Sequence, residues 1–269
     1  MTLTITQIRE LLAAHGIRPS KALGQHFLAD PNTAERIVRL AGVQPGDRVV
    51  EVGPGVGSLT VALLDAGAHV RAVEVDRHVL PVLEEVTAGR DIEIVAADVL
   101  RVDWQSVLGD ERFAMVANLP YNVATPIIIE ALERAPMIDR FLVMVQREVG
   151  ERLAARPGDG AYGAVSVKVA YYAAAKVVGR VPSTVFLPPP NVESVLVHLT
   201  RHVEAPVSVA DSDRLFALVR AGFATRRKTL RRALGGLVDA EAFVRAGVDP
   251  GARAETLSLD DWARLANAG

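Results

Sequence analysis

The residues best suited to chemistry in this 269-residue chain are Asn118-Leu119-Pro120-Tyr121. They follow a short apolar run, residues 113–117, that reads as a buried strand. Proline fixes φ and carries no N–H, and it pushes Leu119 away from helical dihedrals. The Leu119 carbonyl is therefore a candidate free acceptor, with the Asn118 amide oxygen as a second acceptor beside it and the flat face of Tyr121 next in line. Two acceptors next to an aromatic plane suit a planar ring with an exocyclic NH2 group, such as adenine. Alone, the same stretch is better read as a strand running into a turn with Tyr121 in the core.

Three further stretches shift that balance. Glu51-x-Gly53-x-Gly55-x-Gly57 follows a strand at 48–52, and glycines there let the backbone turn tightly and approach a ligand. Glu74 closes the next strand, 21 residues after Gly53, where an acid can accept from both hydroxyls of a ribose. Asp98 follows the third strand and is placed to accept from an adenine NH2. Each is weak alone, since a glycine loop can be only a tight turn and an acid only solvated. In order, at successive strand ends, they describe a nucleoside site. The nicotinamide fingerprint is G-x-G-x-x-G, whereas here the third glycine comes one residue early and Ser58 takes the sixth place.

The elements that must position these residues alternate. Asp30-Pro31 is an N-cap followed by proline at the first helical position, and predicts a helix to about residue 41 after a first helix at 6–14. Strands are expected at 48–52, 70–75, 92–96, 113–117 and 141–145, with helices at 58–65, from 76 to about 86, and at 124–134. This alternation implies right-handed βαβ units and a parallel sheet. A helix at 163–172 and strands at 176–181 and 192–199 follow. Residues 201–211 are polar and strandless. Helices at 212–222, 226–234, 240–246 and 259–266 then predict a small all-helical domain. The expected division is 1–200, with 1–45 a helical segment that covers the ligand, and 201–269.

Composition narrows the class. The chain has no cysteine, so disulfides, thiolate metal sites and cysteine nucleophiles are excluded, and its six histidines lack metal-ligand spacing; no metal is expected. The start lacks the basic and apolar regions of a signal peptide, and no apolar run has membrane-spanning length, so a cytoplasmic protein is expected. The net charge of −2 argues against a nucleic-acid binder, yet residues 214–232 hold seven arginines and lysines and no acid. A local patch of that kind suffices to hold a phosphate backbone.

E-x-G-x-G-x-G with an acid after the next strand resembles the class I S-adenosylmethionine-dependent methyltransferases, and N-L-P-Y resembles their amino-methylating branch. Together with Gly24-Gln-His-Phe-Leu28, Phe186-Leu-Pro-Pro-Pro-Asn-Val-Glu-Ser194 and Phe223-Ala-Thr-Arg-Arg-Lys-Thr-Leu230, the chain resembles over nearly its whole length the ribosomal RNA adenine dimethyltransferases, and most closely their bacterial small-subunit branch. The resemblance implies a Rossmann-like α/β methyltransferase domain with a small C-terminal helical domain. It implies transfer of four methyl groups from S-adenosylmethionine to two adjacent adenosines near the 3′ end of 16S rRNA, in the small subunit or its precursor, by a protein expected to be monomeric. Cofactor contacts are implied for Gln25, His26, Leu28, Glu51, Gly53, Gly55, Gly57, Glu74, Asp98 and Asn118, with His26 standing where many members have asparagine. Asn118, Leu119 and Pro120 are expected to hold the target amine, with Tyr121 and Phe186 on the two faces of the base; for Phe186 a core position is the competing reading. Arg226, Arg227, Lys228, Arg231 and Arg232 are expected to bind RNA. Two other readings share these motifs: the large-subunit adenine methyltransferases of macrolide resistance, and a non-catalytic ribosome-assembly factor. Gly24-Gln25 and the triple proline at 188–190 favour the small-subunit branch.

Overall fold

The computed structural model describes residues 2–19, 24–225 and 227–269. Of the expected site residues, Arg226 lies outside that range. The chain divides into two compact units, one of residues 1–150 and 176–201, the other of 151–175 and 202–269.

In the first unit, α1 (Ile5–Ala14) is opened by a capping box: the Thr4 hydroxyl accepts from Gln7 N–H, and the Gln7 amide accepts from Thr4 N–H at 2.9 Å. The short β1 (Phe27–Leu28) leads into α2 (Pro31–Ala41), where Asp30 caps the Thr33 N–H at 2.9 Å and Pro31 takes the first turn, as the sequence predicts. Then come β2 (Arg48–Val52), α3 (Ser58–Asp65), β3 (His69–Glu74), α4 (Leu80–Thr87), β4 (Ile92–Ala96), α5 (Trp104–Leu108), β5 (Phe113–Asn118), α6 (Ala124–Arg134) and β6 (Ile138–Gln146). After α7 (Arg147–Ala154) and α8 (Ala164–Tyr172), the chain returns through β7 (Ala173–Val181), β8 (Phe186–Leu187) and β9 (Ser194–Arg201).

The main sheet has the order β4-β3-β2-β5-β6-β9-β7 among the described residues. β4, β3, β2, β5 and β6 run parallel, and β9 lies antiparallel to β6. Strands buried on both faces read as continuous apolar runs, and Val49, Val50, Met115, Val116, Leu142, Val143 and Met144 are all fully buried. After β2 the chain adds β3 and β4 on one side, then crosses back to place β5 on the other. The strand order therefore reverses between β2 and β5, and a ligand crevice opens at that switch point. Glu51, the glycine loop and Asn118 all stand there.

In the second unit, α8 packs with α9 (Ser212–Ala224), α10 (Leu230–Ala233), α11 (Ala240–Ala246) and α12 (Leu259–Asn267). Trp262 is fully buried at its centre, among Leu215, Leu218, Leu230, Phe243 and Leu265. Gly222 is what lets α9 come that close: a Cβ there would sit 2.5 Å from the Trp262 ring. Residues 151–175, read from the sequence as part of the first domain, belong with these helices. The reason is apolar and polar together: Tyr162 and Val167 are buried in this core, and the Tyr162 hydroxyl donates to the Leu257 carbonyl at 2.8 Å. No helix among the described residues is long and apolar enough to cross a membrane.

Candidate active site

Two-residue strands do much of the positioning. β1 pairs with β8 antiparallel, Phe27 opposite Leu187 and Leu28 opposite Phe186, which brings the G-Q-H-F-L stretch against F-L-P-P-P. From there the His26 carbonyl accepts from Asn118 Nδ2 at 3.1 Å, at the end of β5. The Asn118 Oδ1 atom is left buried with no partner. A buried unpaired amide oxygen costs roughly 1–3 kcal/mol, which a ligand donor would recover. Leu119 is anchored through its N–H to the Met144 carbonyl at 3.1 Å, and its side chain is buried. Tyr121 is held at its far end, its hydroxyl 2.5 Å from Ser194 Oγ, and burial pushes its phenol pKa up. Ser194 is a contact that sequence reasoning missed; it ends the P-P-P-N-V-E-S stretch and opens β9, 73 residues beyond Tyr121 in the chain.

The glycine loop closes over β2. Gly53, Gly55 and Gly57 all have positive φ, and at Gly55 (φ 58°) a Cβ would lie 2.9 Å from the Phe27 ring. Phe27 therefore packs against bare backbone, something any side chain at position 55 would prevent. Glu74 fastens the loop from β3: its two oxygens accept from Gly55 N–H at 3.0 Å and from Asp76 N–H at 2.8 Å. Asp76, unremarked in the sequence, in turn accepts from Gln25 Nε2 at 2.7 Å, tying the N-terminal segment to the end of β3.

Glu51 is buried on the crevice floor and accepts from Thr60 Oγ1 at 2.6 Å. Burial raises its pKa from 4.5 to about 8; the Thr60 hydrogen bond opposes the rise and the neighbouring Glu74 charge adds to it. Glu74 is also raised, chiefly by burial, against the pull of its backbone N–H donors. Ser58 Oγ, at the start of α3 on the same crevice, is buried without a partner.

The crevice continues past Pro120 and Val75 into a second cavity walled by Val99, Leu100, Val123 and Ile127, with Asp98 at its rim. Asp98 accepts from Leu100 N–H at 3.1 Å, and its other oxygen is 3.5 Å from Arg101. Among the described residues no lysine or arginine lines either part. An apolar slot with one carboxylate at its rim fits a purine. A crevice with Glu74 and Asp76, but no cation, fits the positively charged sulfonium and ammonium of S-adenosylmethionine. The fit is therefore good: Glu74, the glycine loop and Gln25–Leu28 would hold the donor, which when bound supplies an activated methyl group.

Phe186 does not stand as the sequence suggested. It is the first residue of β8, its side chain buried within the core that includes Leu28, Val181 and Leu196, and its ring offers no face to a base in this conformation. The basic segment also differs. α9 ends at Ala224, and Arg227 and Lys228 lie in a turn rather than on the expected helix at 226–234. Arg231 and Arg232 sit on the four-residue α10. All four are exposed. Arg214, from the same run, is committed to the fold, donating to the Ala266 carbonyl at 3.0 Å.

Comparison with known proteins agrees with this geometry. The family described as ribosomal RNA adenine dimethylase matches residues 17–268. The chain belongs to that family. Dimethylases of this kind take their methyl groups from S-adenosylmethionine and place them on adenine in rRNA. Among relatives, the ribosomal RNA small subunit methyltransferase A of Thermobifida fusca is 50% identical over 98% of this chain and 95% of its own length. That of Streptomyces avermitilis is 48% identical over 96% and 91%. Among solved structures, the 23S rRNA methyltransferase ErmE superposes with a TM-score of 0.70 at 29% identity, over 90% of this chain and 98% of its own. A dimethyladenosine transferase from Plasmodium falciparum gives a TM-score of 0.75 at 23% identity, over 89% and 96%, a likeness of fold.

Proposed function

We propose that this dimethylase acts on the small ribosomal subunit or its precursor, converting two adjacent adenosines near the 3′ end of 16S rRNA to N6,N6-dimethyladenosine. The observation that carries the chemistry is the buried, unpartnered Oδ1 of Asn118 at the switch point, beside the Leu119-Pro120-Tyr121 turn. The choice of subunit draws on the small-subunit relatives, which align with nearly the whole chain at up to 50% identity.

The N6 lone pair of adenine is delocalised into the ring and is a poor nucleophile. Acceptors at Asn118 Oδ1 and the Leu119 carbonyl take the N6 hydrogens and favour a pyramidal nitrogen. Fixing that nitrogen in line with the activated methyl supplies proximity, so neither a strong base nor a metal is required of the protein. The target must leave its stack to reach the crevice, and Tyr121, anchored by Ser194, is the platform that receives it. The C-terminal unit supplies the RNA grip through exposed Arg227, Lys228, Arg231 and Arg232, which contact phosphates and not bases. The protein works as a cytoplasmic monomer.

Mapping methylated adenosines in rRNA from cells with and without the protein tests this. Loss of both dimethyladenosines from 16S rRNA is the expected result. An unchanged 16S pattern with a missing methyl group in 23S rRNA would move the substrate to the large subunit.

A further inference from the structure

One ring is already where the base should go. The His26 imidazole stacks on Tyr121, with centroids 5.3 Å apart and planes 27° from parallel. Its Nδ1–H donates to the Pro188 carbonyl at 2.8 Å. The platform beneath it is fixed, because the Tyr121 hydroxyl is held by the fully buried Ser194. The backbone above it is fixed as well, because the His26 carbonyl accepts from Asn118. Only the His26 side chain is free to change place while the acceptors at Asn118 and Leu119 keep theirs. Phe186, the other ring expected at this site, is buried elsewhere.

We propose that His26 is a placeholder for the target base: its imidazole occupies the face of Tyr121 that a flipped adenine requires, and docking of the adenine is an exchange in which the imidazole gives up Tyr121 and the Pro188 carbonyl. The proposal rests on the adenine-methylating reading above. Two consequences follow. In the absence of RNA the ring is covered, so an unsuited planar molecule must compete with an imidazole tethered at high effective concentration. In the presence of RNA, the apparent affinity for the base is lowered by the fraction of time the imidazole is away. A stacked ring pair and a hydrogen bond are each worth roughly three- to tenfold, so removing both should improve apparent base affinity by roughly ten- to a hundredfold.

The test uses the full chain, unmethylated small subunits, and an RNA carrying 2-aminopurine at the target position, whose fluorescence reports stacking. His26→Ala and His26→Asn are compared with the parent, after thermal unfolding has shown both to be folded. The placeholder role predicts that both variants lower KM for subunits, by tenfold or more in the alanine variant, and that 2-aminopurine is quenched at correspondingly lower protein concentration. A raised KM with weaker quenching would make His26 a wall that stacks on the base, and would overturn the exchange. Unchanged KM and quenching would overturn it too. Calorimetry with S-adenosylmethionine gives the remaining arm: a large loss of donor affinity in His26→Ala would assign the imidazole to the donor instead. If the parent itself methylates no adenine, the functional reading fails, and that result is distinct from any of these.

Discussion

Replacing Glu51 by glutamine should make the free protein more stable at alkaline pH and leave it nearly unchanged in acid. Glu51 is 1% exposed, and its pKa rises from 4.5 to about 8 on folding. Below pH 4.5 the carboxyl is protonated in folded and unfolded chains alike, and the burial costs nothing extra. Between 4.5 and about 8 the unfolded chain gives up its proton while the folded chain keeps it, so stability falls as pH rises. At 1.36 kcal/mol per pH unit over that interval, the full loss is on the order of 5 kcal/mol, a ceiling that relaxation and water penetration reduce. Glutamine cannot ionise, yet it keeps an oxygen for the Thr60 hydroxyl. Urea denaturation of parent and Glu51→Gln without donor, at about pH 5, 7 and 9, measures the difference. The curves should nearly coincide at the lowest pH and separate in favour of the variant by at least ~1 kcal/mol at the highest. Parallel pH profiles would show that Glu51 does not hold its proton in the folded protein, and the account of the crevice floor would fail with it.

Three further outcomes are expected. Glu74→Ala should weaken S-adenosylmethionine binding by roughly 1.5–3 kcal/mol in calorimetry, through a lost charged acceptor and a loosened Gly55 loop; unchanged affinity would remove Glu74 from the site. Substituting alanine for Arg227, Lys228 and Arg231 together should weaken small-subunit binding and flatten its salt dependence by roughly one slope unit per lost phosphate contact. Donor affinity should stay as it is, and an identical salt slope would leave the patch a solvated surface. Gly222→Ala should destabilise the C-terminal helices by about 1–3 kcal/mol in denaturant titrations, because its Cβ would press on buried Trp262; a neutral result would mean that α9 can move away.

Much of this was legible in the sequence, and the parts that were not share a cause. The parallel strands are continuous apolar runs closed by marked residues, so the strand ends at Glu51, Glu74 and Asn118 could be read directly. The Asp30-Pro31 helix start and the glycine loop are local signals of the same kind. β1 and β8 are two residues each and carry no periodicity, so the ladder that lays His26 over Asn118 and buries Phe186 is visible only in three dimensions. The expected helix at 226–234 failed because tertiary contacts outweigh a helical pattern: the Leu230 and Arg231 N–H groups donate to the Ala252 and Pro250 carbonyls instead of continuing α9. Residues 151–175 were misplaced because what fixes them, Tyr162 against Leu257, joins positions 95 apart in the chain.

The central claim, that Asn118 holds an adenine N6 for methyl transfer, is tested most directly by one single-turnover measurement. The parent and Asn118→Ala, each saturated with labelled S-adenosylmethionine, are mixed with unmethylated small subunits, and the digested rRNA is analysed for N6-methylated adenosine. The parent should transfer labelled methyl to the N6 of adenosine near the 3′ end of 16S rRNA, while the variant, still able to bind the donor, should transfer almost none. Near-normal turnover by the variant, or label on any atom other than adenine N6, would contradict the account.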